Sequence, residues 1–276
     1  MTNTKQKKTK VKRKKNKKKT NAKITFKKLD KKSAIIISIC SIIVITLIIS
    51  AIAIHFNSQN HPMADFDKDV AFGIDISAHN GDVDWQETAK EADFAFIRVG
   101  YRGYAQGNLV KDKKASYNLK HANKAKIPTG IYFYSQAVTV KEAEEEAEFA
   151  LKQIKKYDIS LPIAYDVEYA YNKHGEIAGR LYDAKLSKDE QTEIVNAFCK
   201  VISDAGYTPA CYASTYFYES KLNPGDFNRD IIRWVADYNK NITYDEKYDI
   251  WQFSNTGKCK GVSSKYVDTN YWYIRR

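Results

Sequence analysis

Cysteine is scarce, with four in 276 residues: Cys40, Cys199, Cys211 and Cys259. None stands at the short spacing of a metal-binding pair, so neither a zinc site nor a cysteine nucleophile can be built from them. Cys199 falls in a helical pattern and Cys211 in a strand pattern, which favours buried free thiols and leaves room for at most one disulfide. Acidic residues are nearly missing from the first 32 positions, which hold 16 Lys/Arg against Asp30 alone. Such a segment, almost without apolar residues before Ile24, cannot bury a core and is expected to be disordered. It also accounts for the formal charge of +12, because the chain beyond residue 32 carries a net −3. The charge therefore gives no reason to expect a nucleic-acid partner for the folded part; anionic lipid suits the tail best.

Residues 34–54 lack any charge and any proline and are dominated by isoleucine. As a helix of 21 residues they would span ~30 Å, the thickness of the hydrocarbon layer, so a single transmembrane helix is expected there. Lysine is abundant before this run, and His55 to Asp67 contains no Lys or Arg. That bias places residues 1–33 in the cytoplasm and the C-terminal part outside the cell membrane. Ala51-Ile52-Ala53 also matches a signal-peptide cleavage pattern, although the apolar stretch exceeds the usual length of such segments. Residues 55–69, polar and containing Pro62, read as an extracellular spacer, and a domain of residues 70–276 follows.

Within that domain, apolar runs recur at 71–77, 94–100, 129–134, 161–168, 208–213, 231–237 and 248–253, with helical stretches between most of them. Thr139 to Tyr157 has a threonine cap, acids in its first half and lysines near its end; Ser187 to Ala205 opens with the capping-box pair Ser187 and Glu190. Strand-helix alternation argues for a parallel sheet with both faces covered. Polar residues gather at the C-terminal ends of the strands: Asp75, Arg98, Tyr134, Asp166, Glu168, Asp237 and Gln252. This is where a barrel enzyme assembles its site, so the expected fold is α/β, an irregular TIM-like (β/α) barrel with fewer than eight helices, preceded by the membrane helix.

The run Leu161-Pro-Ile-Ala-Tyr-Asp-Val-Glu168 is an apolar strand that ends in two carboxylates. Strand side chains alternate faces, so Asp166 and Glu168 share one side. The charge of Asp166 should disfavour ionisation of Glu168 and keep a proton available near neutral pH. That is the chemistry needed to cleave a glycosidic bond. Alone the pattern is weak. It gains from Gly73-Ile-Asp75-Ile-Ser77-Ala-His79-Asn80-Gly81 on the first strand and from Trp251-Gln252-Phe253-Ser254 and Val267-Asp268-Thr269-Asn270 near the end.

Together with Gly100-Tyr101-Arg102-Gly103 and Gly130 to Ser135, these segments resemble glycoside hydrolase family 25, the muramidase-type lysozymes, over about residues 70 to 273. The resemblance implies an irregular α/β barrel that hydrolyses the β-1,4 bond between N-acetylmuramic acid and N-acetylglucosamine, with peptidoglycan glycan strands as partner and no cofactor or metal. It implies Glu168 as the acid that protonates the leaving oxygen, Asp166 beside it, and Asp75 and Asp268 lining the same cleft. Two positions depart from the family pattern: Thr269 stands where leucine is common, and Asn80 where tryptophan often follows the first-strand histidine. A cell-wall-binding module of the same fold without the chemistry, and a chitinase-like hydrolase of acetamido sugars, remain alternatives.

Acids two apart on one strand have their roots ~6 to 7 Å apart, so Asp166 need not be a nucleophile opposite Glu168. Either the substrate's acetamide oxygen attacks while Asp166 orients it, or Asp75 or Asp268 activates a water. Sugar rings lie on aromatic faces, which makes Tyr101, Tyr132, Tyr134, Tyr169, Tyr212 and Trp251 candidate contacts by position. Arg98 interrupts an apolar strand and is expected to orient an acid or hold substrate, as is Gln252 at its strand end. His79 has no partner nucleophile and reads as a hydrogen-bonded loop residue.

Overall fold

The structure, a computed structural model, describes residues 39–40, 42–44, 61, 63–228 and 231–274. The expected basic tail lies outside the described residues, as does most of the expected span at 34–54. Residues 39–40 and 42–44 are helical, and no helix among the described residues is long and apolar enough to cross a membrane. The chain divides between Ala53 and Ile54 into two compact units, the second of which carries the elements that follow.

Eight strands close on themselves in chain order: β1 (Val70–Ile76), β2 (Phe94–Arg102), β3 (Thr129–Ser135), β4 (Ile163–Val167), β5 (Pro209–Ser214), β6 (Ile232–Ala236), β7 (Ile250–Gly257) and β8 (Val267–Tyr273). Strands β1 to β7 run parallel to their neighbours, and β8 is antiparallel to both β7 and β1, which seals the barrel. The expectation of a parallel sheet therefore holds for seven strands. The eighth reverses because only nine residues join β7 to β8, too few for a crossover but enough for a hairpin.

The longer helices are α1 (Ala115–Ala125), α2 (Val140–Ile154), α3 (Lys188–Asp204) and α4 (Thr215–Lys221). Thr139 caps α2 by accepting a hydrogen bond from the Glu142 backbone, and Ser187 with Glu190 forms the capping box of α3. After Lys221 the described residues hold one 3-10 turn and no α-helix, so the barrel is irregular in its last third.

Alternation along each strand separates two apolar layers. Outward residues such as Ile74, Ala95, Ile97, Phe133, Ile163, Tyr165 and Cys211 pack with α1, α2 and α3. Inward residues Phe94, Phe96, Trp234 and Trp272 fill the barrel, together with small residues Ala71, Ala164, Ala210 and Ala236. The Phe96 and Trp234 rings lie 4.5 Å apart between centroids, and Phe94 meets Trp272 edge-on at 5.6 Å. Four large rings fit because glycines face them: a Cβ at Gly73 would stand 2.3 Å from the Phe94 ring, and one at Gly130 would stand 2.4 Å from Phe96. The aromatic plug fills the barrel beneath the C-terminal ends of the parallel strands.

Candidate active site

Directly above the plug, the inward positions turn polar. Asp75 on β1, Arg98 on β2, Tyr132 and Tyr134 on β3, Asp166 on β4, Tyr212 on β5, Gln252 on β7 and Asp268 on β8 line one cleft of ≈ 820 Å³. Glu168, one residue beyond the end of β4, lines it too. Of the twelve residues singled out from the sequence, ten reach this cleft, Tyr101 included.

Tyr169 and Trp251 do not. Trp251 neighbours Gln252 in sequence and so faces the opposite side of β7, where its indole donates to the Asp237 carbonyl at 2.7 Å and packs against Phe253 and Tyr271. Tyr169 turns the other way from Glu168 and sits edge-on to Tyr182 and Phe217. Tyr101 reaches the cleft with Arg98, three residues away, because the pairing of β2 with β3 shifts register between Arg98 and Gly100. Such a bulge re-aims a side chain.

Asp75 is the most restrained of the acids. Its Oδ2 accepts from Gln252 Nε2 and from Asn270 Nδ2, both at 2.9 Å. Gln252 is fixed in turn, since its Oε1 accepts from the Tyr212 hydroxyl at 2.9 Å and the Tyr238 hydroxyl at 2.6 Å. Asn270 accepts from the Trp234 indole at 2.8 Å, which links the site to the plug beneath. Asp268 stands opposite Asp75 in the β1–β8 register. Arg98 donates through Nε to Asp112 Oδ2 at 2.9 Å, with its guanidinium 5.5 Å from the Tyr101 ring centre. Asp112 is itself fully buried and also accepts from the Ala78 and Lys114 backbones, tying the turn after β1 to β2. His79, in that turn, is exposed at the cleft, and its backbone N–H donates to the Ser77 hydroxyl.

All four carboxyls are harder to ionise than in water. Burial pushes Asp75 up to about 6 against the pull of its amide donors, and burial with the charge of Asp75 pushes Glu168 up to about 7. Asp268 rises to about 8 by burial and by the charges of Asp75 and Glu168. Asp166 is raised well above the usual range, by burial first and then by Glu168 and Asp75, with Arg98 opposing. The expectation that Glu168 would hold a proton near neutrality stands, but its cause is corrected: desolvation dominates and Asp75, across the barrel, follows. Asp166 Oδ1 is buried with no hydrogen-bond partner among the described residues, an unusual state for a carboxylate oxygen.

The raised carboxyls set the pH dependence of stability. Between about pH 4 and pH 8 the folded protein binds more protons than the unfolded chain, so stability falls as pH rises through this window. Asp237, held down to about 2 by donors from Thr243 and Asn239, acts oppositely; its contribution is present above about pH 4 and lost as pH falls toward 2. Thermal denaturation is therefore expected to give a higher Tm near pH 5 than near pH 8, and a Tm that climbs across that interval would contradict these protonation states.

A barrel whose open end collects four carboxyls, an arginine and tyrosines holds the groups that cleavage of a glycosidic bond requires. The chain belongs to family 25 of the glycosyl hydrolases, whose model matches residues 74–262. Among solved structures it is similar to the modular autolysin LytC from Streptococcus pneumoniae, determined in complex with a synthetic peptidoglycan ligand, at 29% identity and a TM-score of 0.62. That match covers 74% of this chain and 47% of LytC, so the chain spans about half the length of that protein. A family 25 glycosyl hydrolase from Bacillus anthracis is 25% identical with a TM-score of 0.60, over 79% of this chain and 96% of that one. The uncharacterized protein YegX of Escherichia coli (strain K12) is 27% identical over 208 residues, 72% of this chain and 68% of YegX.

Proposed function

We propose that this chain is a membrane-anchored peptidoglycan hydrolase that cleaves the β-1,4 bond between N-acetylmuramic acid and N-acetylglucosamine, with Glu168 as general acid. The observation that carries it is the Glu168 carboxyl, at the rim of the carboxyl-lined cleft and pushed to about 7, so that it holds a transferable proton at neutral pH. Family membership and the likeness to an autolysin solved with a peptidoglycan ligand support the substrate. The anchor rests on the uncharged run at 34–54 and the lysine-rich segment before it, which would put the domain on the outer side of the membrane. The tail would then face anionic lipid.

In the reaction, Glu168 gives its proton to the glycosidic oxygen as the bond to the anomeric carbon breaks. The substrate's own 2-acetamido oxygen attacks that carbon, and Asp166 Oδ1, which has no protein partner, accepts the acetamide N–H. Water then opens the cyclic intermediate while the Glu168 carboxylate takes its proton back. Asp75 is the poorer candidate for activating a water, because Gln252 and Asn270 both donate to its Oδ2 and hold it in place. Proton NMR of the first-formed reducing end should show the retained anomer, and the inverted one would remove the acetamide route. A peptidoglycan zymogram beside purified chitin oligomers tests the substrate: clearing of the former with slow or no cleavage of the latter is expected, and preference for chitin would overturn it.

A further inference from the structure

Two tyrosines on one wall of the cleft present exposed rings. Tyr171 is 62% exposed and Tyr104 is 44% exposed, both line the cleft, and neither stacks on another ring among the described residues. Tyr171 lies on the hairpin formed by Ala170–Tyr171 and Ile177–Ala178, directly after Glu168, and its phenol is close enough to Tyr134 to resist ionisation of that group. Tyr104 lies on the loop after β2.

That wall is braced by ion pairs and hydrogen bonds. Arg180, which follows the hairpin, donates from its backbone to the Tyr104 carbonyl at 2.9 Å and from its guanidinium to both Glu142 oxygens, at 2.9 and 2.6 Å, and to the Gln136 carbonyl. Arg102 donates to the Gly107 carbonyl at 2.8 Å and to the fully buried Glu146 at 2.7 Å. Together they hold the Tyr104 loop and the hairpin in one fixed relation to α2. Exposed rings on rigid supports are what a sugar face requires, since little order is lost when it docks.

We propose that Tyr171 and Tyr104 form a subsite that stacks a further pyranose ring of the glycan strand, beyond the two rings that flank the cleaved bond. This rests on the peptidoglycan reading above. The subsite takes an acetamido-sugar ring by its apolar face and rewards long strands over short ones.

Binding separates this subsite from the cleavage chemistry. In full-length protein carrying Glu168→Gln, the affinity for defined oligomers of alternating N-acetylglucosamine and N-acetylmuramic acid would be measured by calorimetry, for disaccharide and octasaccharide. Adding Tyr171→Ala or Tyr104→Ala should weaken octasaccharide binding about tenfold and leave disaccharide binding within about twofold, while Tyr171→Phe should bind as the parent does. Arg180→Ala should reproduce the length-dependent loss through the loosened wall. Octasaccharide affinity unchanged by the alanine variants, an equal loss at both lengths, or a Tyr171→Phe protein as weak as Tyr171→Ala would each overturn the subsite. Failure of the parent to bind either oligomer, with no cleavage by the wild type, would instead remove the peptidoglycan reading and the subsite with it.

Discussion

Glu168→Gln is expected to lower kcat on peptidoglycan by about 10²–10⁴-fold while leaving substrate binding close to that of the wild type. The amide is isosteric with the protonated acid, so the shape of the cleft and the hydrogen bond from Gln136 Nε2 to the Glu168 carbonyl, 2.8 Å, are untouched. What disappears is the proton for the leaving oxygen. The pH profile carries the same information: because burial and Asp75 put the Glu168 carboxyl at about 7, wild-type activity should fall as pH rises through that value. The residual activity of the variant should lose this limb. A variant with near-normal turnover, or one that keeps the limb near pH 7, would assign the proton to another of the raised carboxyls, Asp268 first.

Trp234→Ala is expected to cost about 3–5 kcal/mol of stability, the range for removing a large ring from a packed interior. Trp234 is 1% exposed at the centre of the plug, 4.5 Å from the Phe96 ring centre and 4.9 Å from that of Tyr212. For a domain of this size that loss corresponds to a Tm lower by roughly 10 °C, read by circular dichroism. Trp234→Phe keeps a ring but removes the indole donor, leaving Asn270 Oδ1 unpaired at a cost of about 1–3 kcal/mol. Because Asn270 holds Asp75, this milder variant should also reduce turnover more than its stability loss explains. Equal stabilities for wild type and Trp234→Ala would contradict the plug.

The four acids were legible because each sits near a strand end on the inward face, a position fixed by alternation alone. The same rule misplaced Trp251 and Tyr169, where a shift of one residue reverses the side and nothing in the local sequence marks the reversal. Tyr101 reached the cleft only through a bulge that pairing between β2 and β3 reveals. Strand β8 has no apolar run to announce it, since Asp268 and Asn270 occupy inward positions that elsewhere are apolar. Helix α1 lacks the usual signals too: Lys114 offers no side-chain cap, and its end is Lys126 in the left-handed region at φ 57° where glycine is usual. Asp112, Tyr238 and Gln136 act through residues distant in sequence, so their roles appear only when the strands are brought together.

The most direct test of the proposed activity is mass spectrometry of the fragments released from purified peptidoglycan by the wild-type protein, with Glu168→Gln as control. Muropeptides ending in reducing N-acetylmuramic acid, absent from the control digest, are the expected result. Fragments ending in reducing N-acetylglucosamine, or cleavage confined to the peptide stems, would contradict it.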